Sequence, residues 1–279
     1  MRSMLLSVCL ASVSSLQLSV RPSRFALAPR PRIGCDIVCG WGPEPEWTEN
    51  KIESIADAAD GLKAITIMPP AGVADGYVTP GQYVQIREPG AEKAGFFAIA
   101  SAPGANGAFQ FLIKEQPPSD WSPGTGWLTS APAGTALEMS QVMGSGFKVA
   151  DCLDSCSDVL LFAAGSGISP IRSVIESGIL DGKSVSLYYG SQTPDKMAYQ
   201  DKFAEWEAKG CKVTPVISKP DGTKWDGATG YVQDVAKSAG VPKPSETVML
   251  MCGMKGMAEG VKALAAEVGV AEDKVLANF

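Results

Sequence analysis

The residues best suited to chemistry lie in Val159–Gly178, VLLFAAGSGISPIRSVIESG. The apolar run Val159 to Ala164 has the composition of a parallel strand buried on both faces. Gly165-Ser166-Gly167 follows, then Ile168, Ser169 and Pro170, then a helical pattern with Ile171, Val174 and Ile175 on one face. Ser169 suits an N-cap, Pro170 the first helical turn, where it has no N–H to lose, and Gly178 the helix stop. Strand, glycine turn and helix start together present free backbone N–H groups and the positive end of a helix dipole, a ready site for a phosphate. The glycines let the backbone approach an anion where a Cβ would intrude. Taken alone, such a turn also reads as no more than the close of a βα unit.

The elements that must position this turn alternate from Val159 onward. Strands are predicted at Val159–Ala163, Val185–Tyr189, Lys212–Ile217, Val248–Met251 and Val275–Ala277. Helices are predicted at Ile171–Glu176, Met197–Ala208, Tyr231–Ala239 and Met257–Val268. Such alternation implies an α/β parallel sheet covered by helices on both faces, which binds ligands at the carboxyl ends of its strands. Gly165–Pro170, Gly190–Pro194 and Cys252–Gly256 all fall at such ends. Upstream, Leu62–Met68, Tyr83–Arg87, Phe96–Ala100, Phe109–Lys114 and Ala136–Met139 read as short strands between Gly and Pro, the pattern of a small antiparallel β-barrel. The expected organisation has two domains: a linker at 40–50, a barrel at 51–152 and an α/β nucleotide-binding domain at 153–279.

Composition removes many alternatives. The 279 residues contain no histidine, which excludes the usual triads, histidine-ligated haem and most zinc enzymes. The seven cysteines are scattered without a metal-ligand or iron–sulfur spacing, so no metal site is expected and they read as reduced thiols. Residues 1–35 hold five arginines and no acid, so the formal charge of −6 becomes −11 for residues 36–279, which argues against a nucleic-acid partner. Arg- and Ser-rich, acid-free composition marks residues 1–39 as a targeting peptide, with an ordinary secretory signal as the alternative. The apolar stretch Met4 to Val20 is short and interrupted by Ser, so no membrane span is expected.

A barrel followed by this α/β pattern resembles the ferredoxin–NADP reductase family of flavin oxidoreductases, in a plant and algal branch with a degenerate flavin motif. The resemblance covers roughly residues 50–279. GSGISP at Gly165–Pro170 is similar to the family's pyrophosphate loop, and CGMKGM at Cys252–Met257 to its nicotinamide-side motif. LYYGSQTPDKMAY at Leu187–Tyr199 resembles the segment that meets the adenosine ribose, here Gly190, Ser191, Gln192 and Lys196. GQYVQI at Gly81–Ile86 and FFAIAS at Phe96–Ser101 resemble the flavin-side strands, and Gly124-Thr125-Gly126 falls where a flavin loop belongs. The leader likewise resembles the two-part signals of algae with complex plastids, which implies a plastid location.

The resemblance implies hydride transfer between NADPH or NADH and FAD, with electrons passed on to a separate electron-transfer protein or a quinone. It places Cys252, Gly253 and Met254 near the nicotinamide, and the aromatic Phe279 as a shield for a ring face. One departure stands out. The family strand reads Arg-x-Tyr-Ser, whereas this chain has Gly95, Phe97 and Ala98, followed by Ile99, Ala100 and Ser101. The arginine that pairs with flavin phosphate is missing, which implies a weakened FAD site unless Arg87, Lys114 or the backbone at Gly124–Gly126 replaces it. Gln192 stands where many members have arginine, and no acid faces a free 2′-hydroxyl, which leans toward NADPH. The alternative is a non-catalytic nucleotide-binding scaffold or sensor.

Overall fold

Among the described residues, twelve strands divide between two sheets of opposite kind. The computed structural model describes residues 44–105, 107–117, 119 and 123–278. The targeting segment and Phe279 therefore lie outside the described residues, as does Trp121.

The first sheet is antiparallel, in the order β4-β3-β6-β1-β2-β5. Its strands are β1 (Thr48–Ala59), β2 (Leu62–Ile67), β3 (Tyr83–Arg87), β4 (Gly95–Ala98), β5 (Phe109–Lys114) and β6 (Ala136–Met139). The sheet curls until the Ala100 N–H, just beyond β4, donates to the Gln110 carbonyl of β5, closing a barrel. Two short helices interrupt it, α1 (Ala71–Ala74) and α2 (Pro123–Ser130). Inward-facing Ile52, Ile65, Ile67, Val84, Ile86, Phe97, Phe109, Phe111 and Leu137 fill the interior, with Leu128 of α2 closing it. The sequence suggested a linker to residue 50, but β1 begins at Thr48. Its polar run hides it, since Ile52 alone of its twelve residues is fully buried. The Gly124–Gly126 stretch, expected as a loop, is the first turn of α2.

After the one-turn helix α3 (Ala150–Leu153), the second sheet is wholly parallel. It contains β7 (Asp158–Ala164), β8 (Ser184–Ser191), β9 (Cys211–Ile217), β10 (Ala228–Thr229), β11 (Thr247–Cys252) and β12 (Val275–Ala277), in the order β10-β9-β8-β7-β11-β12. Four helices cover it: α4 (Ile168–Glu176), α5 (Phe203–Ala208), α6 (Val232–Ala239) and α7 (Lys255–Val268). Alternate residues of a strand point to opposite faces. Val159, Leu161 and Ala163 of β7 accordingly pack with α4, α5 and the barrel residues Leu62, Leu112 and Phe147. Leu160 and Phe162 pack with α6 and α7. The predicted helix from Met197 is broken because Tyr199 adopts φ +61°, so a 3₁₀ turn at Gln200–Lys202 precedes α5.

Phe111 sits at the centre of the barrel, edge-on to both Phe97 and Phe109 at 6.5 Å. Phe111→Ala is expected to lower stability by about 3–5 kcal/mol, read as a shifted urea midpoint with unchanged slope.

Candidate functional site

The sheet order reverses at β7: the chain moves outward through β8, β9 and β10, then returns to β11 on the other side. The loops after β7 and β11 therefore part, opening a crevice at their carboxyl ends. Register brings three predicted segments level there. Ala163 pairs with Cys252 and Ala164 with Gly190, so Gly165, Gly190 and Cys252 end adjacent strands.

Gly165–Gly167 form a 3₁₀ turn, and α4 starts at Ile168 with Gly167 as its N-cap residue. Ser169 is therefore one residue inside the helix and not its cap. Its hydroxyl donates instead to the Leu112 carbonyl of β5 at 3.2 Å. No side chain caps α4, which leaves the donors of its first turn unclaimed by side chains. Gly165 has φ +55° and open space where a Cβ would stand. Gly167 differs: a Cβ there would overlap the Cys252 carbonyl and lie 2.9 Å from the Gly253 Cα. A Cβ on Gly253 would in turn meet Met257 Cε at 2.9 Å and Ala164 Cβ at 3.1 Å. The two motifs thus touch backbone to backbone. Tyr189 steadies the turn by donating its hydroxyl to the Gly165 carbonyl at 3.3 Å.

Cys252 is partly exposed as a residue, yet burial pushes its thiol up to about 12. Met254 is the N-cap residue of α7 and 68% exposed, at the mouth of the crevice. On the ribose side, Ser191 Oγ donates to the Thr193 carbonyl at 2.9 Å. Lys196 pairs at 3.6 Å with Asp60, in the turn between β1 and β2. Sequence reasoning passed over Ser218 and Lys219, which follow β9 and whose N–H groups donate to the carbonyls of Ser191 and Gln192. It also passed over Tyr231, 61% exposed just before α6. Their signal was the one already used for the other loops, a position just past the carboxyl end of a strand.

The barrel side is rearranged. Phe97 points into the core and is 6% exposed, whereas Phe96 points outward at 63% and leans on Tyr83 at 5.7 Å. A Cβ on Gly95 would lie 2.5 Å from the Phe97 ring, and one on Gly124 would lie 2.6 Å from the Gly95 nitrogen. The place of the missing arginine is filled by the Phe97 ring and the backbone of α2. Arg87 is no substitute, because it is bound to Glu138 at 2.6 Å and stacked on Trp47 at 3.8 Å. Lys114 ends β5, four residues beyond the Gln110 carbonyl that meets Ala100, and pairs there with Leu62 of β2. Lys93, two residues before Gly95, is exposed and was not considered from sequence. Ala98, Ile99, Ala100 and Ser101 run from β4 toward α4, with Ser101 buried.

Residues 161–263 match the oxidoreductase NAD-binding domain family. The fruit protein pKIWI502 of Actinidia deliciosa is 37% identical over 213 residues, covering 72% of this chain and 66% of that protein. The chain belongs to the ferredoxin–NADP reductase-like family of flavin oxidoreductases. Another relative in this reductase-like family is the ferredoxin reductase component of a 3-ketosteroid-9-alpha-monooxygenase from Mycobacterium tuberculosis. It is 28% identical over 173 residues, covering 58% of this chain and 46% of that protein. The chain thus spans about two thirds of the first relative's length and about half of the second's. The fold matches a ferredoxin NADP+ reductase from Neisseria gonorrhoeae, solved with FAD and NADP, with TM-score 0.72 and 17% identity over 85% of this chain and all of that one.

The two reductase-like glycines should respond differently to alanine. Gly165→Ala meets no atoms and is expected to cost about 1–2 kcal/mol of left-handed backbone strain. Gly167→Ala must part β7 from β11 and is expected to cost about 3 kcal/mol or more, with nucleotide affinity falling along with it. Urea unfolding and NADP+ titration of both variants check this. The raised Cys252 thiol stays neutral at pH 8, so its alkylation by iodoacetamide should be more than tenfold slower than that of free cysteine. Mass-resolved labelling reads that rate.

Proposed function

We propose that this protein is an FAD-dependent NAD(P)H oxidoreductase that passes electrons to a separate acceptor. The observation that carries the reading is the backbone contact of Gly167 with Cys252 and Gly253 at the switch point of the parallel sheet. A diphosphate on the uncapped start of α4 would run from that contact toward the ribose side. In this reading the N–H groups of Gly165, Ser166 and Gly167 hold the diphosphate, the Ile168 N–H being bonded within the turn to the Gly165 and Ser166 carbonyls. Pro170 stiffens the turn behind them. Gly190, Ser191, Gln192 and Lys196, joined by Ser218 and Lys219, hold the ribose, and exposed Tyr231 flanks the base. Lys196 and Lys219 offer donors to a 2′-phosphate, which supports NADPH over NADH.

Gly253 leaves room for a flat ring, and Cys252 presents a neutral thiol beside it. That thiol orients and excludes water; with its proton held far above neutral pH it does not act as a base. On the barrel, Ala98–Ser101 form the flavin-side edge. The first-turn N–H groups of Gly124, Thr125 and Gly126 are what remains to hold a flavin diphosphate, without a guanidinium. The residues fit FAD through backbone donors, while Phe97 contributes to the wall from inside. When bound, the flavin supplies hydride acceptance and the split into single electrons. The acceptor is a separate electron-transfer protein or a quinone, and the composition of residues 1–39 supports delivery to a plastid.

The filled space at Gly95 favours one second reading, a scaffold or sensor that binds nucleotide without turnover. An anaerobic absorption spectrum separates the two. Flavin bands near ~450 nm that bleach on adding NADPH are expected. A protein that stays colourless after soaking in FAD would leave the scaffold reading standing.

A further inference from the structure

Three side chains of α4, Ser169 and, one turn on, Arg172 and Ser173, hydrogen-bond to the barrel. Ser169 donates to the Leu112 carbonyl at 3.2 Å, and Arg172 Nη2 donates to Gln110 Oε1 at 2.7 Å. The third runs through Tyr77. Its hydroxyl lies 2.8 Å from the Ser101 carbonyl and 2.5 Å from Ser173 Oγ. A carbonyl only accepts, and a tyrosine hydroxyl has one proton, so Tyr77 donates to Ser101 and Ser173 donates to Tyr77.

These groups are closed off from water: Tyr77 is 4% and Ser173 0% exposed. Ser101 is fixed in turn, donating to the Ala108 carbonyl at 3.0 Å and accepting from the Gln110 N–H at 3.2 Å. The buried Arg172 charge is matched by Glu176 at 2.9 Å and covered by the Tyr199 ring at 4.7 Å. Glu176 also accepts from the Trp206 indole at 3.2 Å. A fully partnered buried network of this kind favours a single arrangement. The contacts are contiguous, from Ser101 through Tyr77 and Ser173 into α4, and from the Gly167 start of α4 to Cys252.

We propose that Tyr77, acting through Ser101 and Ser173, is a positioning residue that fixes the flavin-side strand against the glycine loop and so sets the distance of hydride transfer. The inference rests on the oxidoreductase reading above. Its strength comes from the steep distance dependence of catalysis, since a shift of about 1 Å can cost roughly 100-fold in rate. Tyr77→Phe is a narrow probe. The ring keeps its edge contact with Phe109 at 5.6 Å, and only the hydroxyl is lost.

The test mixes the full-length protein, Tyr77→Phe, Ser173→Ala and the double variant with NADPH without oxygen. The limiting rate of flavin reduction is expected to fall about tenfold in each single variant, and no further in the double variant. The NADP+ dissociation constant and the flavin content are expected to stay within twofold. An unchanged limiting rate overturns the proposal. So does a loss of NADP+ affinity or flavin that parallels the fall in rate, or a fall that simply adds in the double variant. If the unaltered protein takes up no flavin, the oxidoreductase reading fails by itself, and amide exchange then decides the link. Tyr77→Phe should raise exchange jointly in residues 99–112 and 168–176. Exchange unchanged in either segment would refute the coupling.

Discussion

The approach of Gly167 to the Cys252 carbonyl is the contact on which the site depends. Two parallel strands end level with each other, and the turn leaving one lies directly on the last peptide of the other. Side chains cannot mediate so close a contact, so the spacing is set by backbone. The strands can meet in this way because β7 is buried on both faces, held by α4 and the barrel on one side and by α6 and α7 on the other.

Electrostatics plays a quieter part. With no histidine in the chain, and Cys252 and the buried tyrosines Tyr77 and Tyr189 shifted toward their neutral forms, the site holds little that titrates near neutral pH. What it holds instead are fixed dipoles: helix starts, strand ends and peptide carbonyls. Such an arrangement suits a protein whose reactive atoms belong to bound nucleotides, because it orients them without competing for protons.

The parallel sheet was readable from sequence because its central strands β7 and β11 are apolar and lead directly into glycine-bearing loops, so position and boundary carry the same signal. The barrel was harder. β1 carries Thr48, Glu49, Asn50, Lys51 and Glu53 although it is paired on both sides, and no periodicity betrays it. The direction of Phe97 was also hidden, because FF gives two adjacent rings and only packing decides which one turns inward. Gly124-Thr-Gly126 looked like a loop on composition, yet Gly124 is what lets α2 lie on β4. Ser169 matched the rules for a cap and serves the barrel instead. Tyr77 left no local trace, since its partners Ser101 and Ser173 lie 24 and 96 residues away.

Gly95, Phe97 and Gly124 form a mutually locked set: each occupies space that a larger or differently turned neighbour would need. An arginine at position 95 would collide with the Phe97 ring while α2 still lay against the strand, so that single change brings a clash before any ionic contact. A larger side chain at position 95 therefore enters this barrel face only together with a turn of the Phe97 ring, so residues two apart on β4 change as a pair.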